Sequence, residues 1–86
     1  MSFKKYRRKQ IAELRPVNDN DLLKFVKEVS NIVYENEKGI LFIPVSSIDI
    51  RNGSPKKGDM IARNPNNHLD QWLVAKQDFN DNFEEI

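Results

Sequence analysis

The stretch Gly53-Ser-Pro-Lys-Lys-Gly-Asp-Met-Ile-Ala-Arg-Asn-Pro-Asn-Asn-His-Leu-Asp-Gln-Trp-Leu-Val-Ala75 constrains the fold more than any other part of the chain. Two clusters of turn-forming residues, 53–58 and 64–67, bracket the short apolar run Met60-Ile-Ala. Gly reaches backbone conformations closed to other residues, Pro presets one dihedral, and Asn bonds its own backbone. Residues 60–63 therefore read as one strand and residues 71–75 as the strand returning from the second turn. The same stretch holds the chain's one His and its one Trp. Most side chains able to recognise a partner are thus gathered on a single hairpin.

The 86 residues leave room for one domain over positions 1–86, with one modest core. A hydrophobic share of 38% beside a net charge of +1 separates the chain from disordered compositions, which combine low hydrophobicity with high net charge. No cysteine is present, which excludes disulfides, thiolate metal sites and thiol nucleophiles. An unstapled domain of this size suits a reducing cytoplasm. The start Met-Ser-Phe-Lys-Lys-Tyr-Arg-Arg has no apolar stretch behind its basic residues, unlike a secretory signal, and no run reaches membrane-spanning length. The expected location is the cytoplasm, with no membrane partner.

Charge is distributed unevenly. Lys4, Lys5, Arg7, Arg8, Lys9 and Arg15 face a single acid, Glu13, in the first 15 residues. Asp78, Asp81, Glu84 and Glu85 lie near the other end, among residues 78–86, where no base occurs. Mutual attraction of the two ends accounts for this pattern without a polyanionic partner.

Between the ends the pattern predicts an α+β domain, one main helix packed on a small, mostly antiparallel sheet. Residues 3–14 alternate loosely as a strand that Arg15-Pro16 would end, because the residue before Pro is pushed to extended geometry. Asn18-Asp-Asn-Asp21 offers N-cap oxygens, and Leu22, Leu23, Val26 and Val29 follow with helical spacing. A helix of about ten residues from Asn20 is expected, a common length for globular proteins. Ile32-Val-Tyr34 and Ile40-Leu-Phe-Ile43 suit a hairpin, although Ile32 and Val33 also continue the helical period. Residues 46–53 suggest a short capped helical turn, and residues 83–86 a short edge strand after a half-turn from Asp78.

No constellation spells a reaction. His68 and Asp70, with Asp59 and Asp49, form the one hydrolase-like set, but a general base also needs an orienting group and a nucleophile. Ser46, Ser47 and Ser54 sit in no nucleophile turn, and one His among scattered carboxylates lacks metal-site spacing. Catalytic residues, metal ligands and cofactors are therefore not expected. Lys4, Lys5, Tyr6, Arg7, Arg8 and Lys9 form a basic segment with an aromatic that suits nucleic acid, with affinity falling steeply as salt rises. Trp72 alternates with Val74 and so is either core or an interface anchor. Arg63, Asn64, Asn66, Asn67, His68 and Asp70 carry more donors and acceptors than a plain turn needs. Together with Trp72 they are the candidate partner-binding residues. A free sheet edge would pair with a second copy, and both monomer and homo-oligomer fit the pattern.

The block from Gly53 to Val74, with Lys5-Tyr-Arg-Arg-Lys9 at one end and Phe79-Asn-Asp-Asn-Phe-Glu84 at the other, resembles a group of small tailed-bacteriophage and prophage proteins. The resemblance spans the two ends and the block, while residues 18–46 look individual. It implies a phage gene acting in a bacterial cytoplasm and carries over no functional residues. The expected function is that of an accessory protein binding a host or phage protein without catalysis, as in host manipulation or anti-defence. The alternatives are nucleic-acid binding through residues 4–9 and a small hydrolase centred on His68.

Overall fold

The computed structural model describes residues 12–84. The chain runs through β1 (Glu13–Pro16), α1 (Asp19–Leu23), β2 (Phe25–Val26), a 3-10 turn (Lys27–Val29), β3 (Asn31–Asn36) and β4 (Gly39–Pro44). It continues with α2 (Ser47–Arg51), β5 (Met60–Asn64), β6 (Asn67–Val74) and α3 (Lys76–Asn82). The strands make two antiparallel three-stranded sheets, ordered β1-β5-β6 and β2-β3-β4. Among the described residues no helix is long and apolar enough to cross a membrane.

This architecture overturns the expected main helix on one sheet. The helix begun by Asn18 stops at Leu23, and Phe25 and Val26 pair instead with Ile32 and Asn31. The Val33 N–H donates to the Lys24 carbonyl at 2.9 Å, extending that pairing by a residue. Leu23 and Val29, two of the four residues of the expected helical stripe, are left 83% and 52% exposed. A ten-residue helix carrying two β-branched valines is marginal without a face to bury. Strand pairing instead places Phe25 against the core. Ile32 and Val33, which fitted either period, belong to the β3–β4 hairpin, with Ile32 opposite Ile43.

Two terminal expectations change as well. The strand expected over residues 3–14 lies mostly outside the described residues, and β1 continues through Arg15 and Pro16. Pro16 is accommodated because, among the described residues, β1 is an edge strand, where a missing N–H interrupts no interior ladder. At the other end, α3 begins before Asp78, and Phe83 and Glu84 follow it outside any strand. Shorter-range signals fare differently: Ser46 caps α2, its Oγ accepting from the Asp49 N–H at 3.1 Å.

The core lies between the sheets. Ile32 and Ile43 come from one sheet, Ile61 and Leu73 from the other, and Val17 and Val45 close the cluster. Among the described residues two carboxylates are fully buried beside this core, and each is saturated with donors. Asp21 accepts both Arg15 guanidinium nitrogens, at 2.7 and 2.9 Å, the Asn18 N–H at 2.9 Å, and the Tyr34 hydroxyl. Since Arg15 lies on β1 and Tyr34 on β3, this one carboxylate ties the two sheets together. It also completes the capping box of α1, whose Asn18 side chain accepts from the Asp21 N–H. The second carboxylate, Asp59, accepts from Ser54 Oγ at 2.8 Å, the Lys56 N–H at 2.9 Å and the Lys76 N–H at 3.1 Å. It thereby closes the loop that contains the cis Ser54–Pro55 peptide and supplies α3 with the cap that Ala75 cannot give.

Burial by itself raises the Asp21 carboxyl pKa. The Arg15 guanidinium, the Tyr34 hydroxyl and the Asn18 amide outweigh that effect and hold it at about 2, against an unfolded value of 3.8. Because the folded value is the lower one, ionised Asp21 stabilises the fold above about pH 4, and that contribution disappears as pH falls toward 2. Burial, followed by the bond to Asp21, raises the Tyr34 pKa, so that residue's contribution is lost only in strongly alkaline solution. Asp21→Asn is expected to cost about 2 kcal/mol at pH 7 and to remove this share of the acid limb. Urea unfolding of both proteins from pH 7 to pH 3 measures the difference, and the two curves should converge as pH falls.

Candidate protein-binding hairpin

The β5–β6 hairpin is anchored at one end and free at the other. At its base Met60 pairs with Val74 and Ile61 with Leu73, deep in the fold. Toward its tip β6 emerges: Leu73 and Val74 are buried, Gln71 and Trp72 half-buried, and Asn67, His68, Leu69 and Asp70 exposed. The register explains this tip. Arg63 opposes Gln71 while Asn64 opposes Asn67, so His68, Leu69 and Asp70 have no counterparts on β5. Bulged residues are left out of the ladder, and a bulge re-aims the side chains it carries. Leu69 is 76% exposed as a result.

The asparagines flanking the bulge build it. Asn64 Oδ1 accepts from the Asn66 N–H at 2.9 Å, and Asn67 Oδ1 from the Leu69 N–H at 3.2 Å. Both side chains replace backbone partners that the bulge removes, as turn asparagines commonly do. Asn64 also reaches Asp70 at 3.5 Å, and Gln71 Nε2 donates to the His68 carbonyl at 2.9 Å. The tip is therefore internally braced, and it presents Asn66, His68, Leu69 and Asp70.

Beneath the tip, β1 contributes a residue that the local pattern did not single out. Glu13 lies directly opposite Arg63, and the Arg63 Nε–H donates to its carboxylate at 2.8 Å. His68 Nε2 stands 3.5 Å from the same carboxylate oxygen. Glu13, Leu14, Arg15, Ile61, Arg63 and Gln71 line a shallow groove of about 350 Å³ on this side of the sheet. Glu13 had one signal in the sequence, as the lone acid within a basic run, but nothing there indicated a partner 50 residues away. Leu69 was equally hidden, because it falls between the turn expected at residues 64–67 and the strand expected from residue 71, where nothing sets its exposure.

The structure thus gathers Arg63, Asn64, Asn66, Asn67, His68 and Asp70 at one end of the hairpin. Trp72 stands apart from them. It opposes Ala62, on the face of the sheet away from Ile61 and Leu73, and is half-buried. The hydrolase-like set does not converge: Asp59 and Ser54 bond each other at the hairpin base, while His68 is at the tip. The Ser46 hydroxyl is engaged in capping α2. Among the described residues, no three His, Asp or Glu side chains gather as metal ligands. The basic segment Lys4, Lys5, Tyr6, Arg7, Arg8 and Lys9 lies outside the described residues. No family model, curated protein or solved structure matches this chain.

The Glu13–Arg63 pair is about half exposed at both ends, so solvent screens it strongly. A double-mutant cycle with Glu13→Gln and Arg63→Gln, followed by urea unfolding, should give a coupling below about 1 kcal/mol.

Proposed function

We propose that this chain is a phage-type accessory protein that acts by binding a host or phage protein, without catalysis, through the tip of the β5–β6 hairpin. The observation that carries the reading is the three-residue bulge, which holds Leu69 76% exposed between His68 and Asp70 on a braced support. An exposed apolar side chain within a polar ring matches the arrangement of interface anchors, where a buried apolar centre is surrounded by groups that exclude water. The base of the hairpin is fixed in the core, so little ordering entropy opposes association. The likeness of the block 53–74 to tailed-phage proteins supports the cellular setting, and the absence of cysteine suits a reducing cytoplasm. Arg63 and Glu13 contribute a charged floor beside the apolar anchor, which favours a partner surface of mixed polarity over a polyanion.

The immobilised protein should retain a specific protein from a bacterial lysate. The variant Leu69→Asp with His68→Ala should lose that protein at least tenfold, with a urea midpoint unchanged because both side chains are exposed. Retention unaffected by the tip substitutions, or no specific retention at all, would overturn the assignment.

A further inference from the structure

Two arginines on the inner face of the β1-β5-β6 sheet spend their guanidinium groups differently. Residues directly opposite one another on neighbouring strands share a face, so Glu13, Arg63 and Gln71 form one row across the sheet. Arg15, Ile61 and Leu73 form the next row on the same face, because side chains alternate along a strand. Arg15 turns both terminal nitrogens to the Asp21 carboxylate, Nη1 lying 2.7 Å from one oxygen and Nη2 2.9 Å from the other. Two parallel N–H groups on two coplanar oxygens are the arrangement in which these groups fit best. Arg63 instead donates to Glu13 through Nε, and among the described residues its Nη1 and Nη2 make no hydrogen bond. The edge that Arg15 fills with a carboxylate is therefore open on Arg63, and 43% of that side chain is exposed.

The surroundings of this edge indicate what fills it. Arg63 lines the groove of about 350 Å³ beneath the tip, together with Ile61, which belongs to the apolar core. Glu13 stands in the same groove, so a doubly charged phosphate would meet a fixed negative charge, whereas a singly charged, planar carboxylate matches the open edge with half that repulsion. Gln71, opposite Arg63, is committed to the His68 carbonyl. His68 Nε2 lies 3.5 Å from Glu13, so the groove is continuous with the tip and with Leu69 next to His68. A concave groove beside a protruding tip suits a projecting segment of a partner more than a flat surface. We propose that the segment bound at this hairpin is acidic: an Asp or Glu side chain of the partner fills the open edge of Arg63, while a neighbouring apolar residue of the partner covers Leu69. This rests on the reading of the hairpin tip as partner-binding and adds the chemistry of the partner to it.

Random peptides displayed on phage and selected on the full immobilised chain test the assignment. Selected peptides should share one acidic residue beside an apolar one. Selection on Arg63→Glu should replace that acid by Lys or Arg, since Glu13 and the new carboxylate then face the peptide together. Should Arg63→Glu fail to fold, selection on Arg63→Gln should simply lose the acidic preference. A selected peptide, synthesised with a fluorophore, gives affinities by anisotropy. Exchanging its acidic residue for the corresponding amide should weaken binding to the wild-type chain about tenfold and leave binding to Arg63→Gln unchanged. Inorganic phosphate added at constant ionic strength should not displace the peptide. Peptides that need Leu69 but show no acidic preference, or keep it on Arg63→Gln, would overturn the proposal and leave the tip reading standing, as would displacement by phosphate. Peptides whose binding survives Leu69→Asp would count against both. A library that yields no binder also defeats the proposal, whatever the lysate retains.

Discussion

Asp21 is the point at which the two sheets of this protein are held to one another. Its carboxylate is buried completely and accepts from a guanidinium on β1, a hydroxyl on β3 and a backbone amide at the start of α1. A buried carboxylate is tolerated only when its charge is paired and its lone pairs are filled, and both conditions hold here. The constraint then works outward. Arg15 must lie at one position on β1 and Tyr34 at one position on β3, so the sheets have a defined relation before apolar packing refines it. In a chain of 86 residues, whose core is necessarily small, such a tie carries a large share of the specificity.

Asp59 plays the matching part for the hairpin that bears the candidate site. It gathers Ser54, Lys56 and Lys76 around the base of β5, and its own carbonyl accepts from Val17 at 2.9 Å. The loop, the helix α3 and the strand entering the hairpin are thereby joined at one residue. A rigid base allows an exposed tip to keep its shape, because the bulge adds only local turn chemistry to a fixed support. The contrast along β6, from buried Val74 to the exposed residues around Leu69, is the structural expression of that division.

Legibility in the sequence followed the range of the interactions. The turn at residues 64–67 and the capped turn opening at Ser46 were legible because their bonds join residues two or three positions apart. The β3–β4 hairpin was legible for a similar reason, since Gly39 has a φ of 141° that few other residues adopt. Leu22, Leu23, Val26 and Val29 satisfy the helical period and so suggest a helix through Val29, yet three of them end up exposed. The polar residues of the candidate site could be named from composition. Glu13 and Leu69 could not, because one depends on a pairing 50 residues distant and the other on a register shift.

The block from Gly53 to Ala75 by itself determined that a hairpin would form and that its tip would be polar, because turn preferences act within a few bonds. Tertiary structure alone decided that the chain makes two sheets instead of a helix on one. It did so by offering Phe25 a place in the core and Val33 a backbone partner in Lys24, neither of which local spacing can encode. It likewise converted Asp21, which read as a cap, and Asp59, which read as part of a hydrolase-like set, into buried ties between distant segments. The physical reason is the same in each case. A carboxylate or an apolar side chain has no fixed role until the fold determines how much water it loses and which donors or neighbours replace that water.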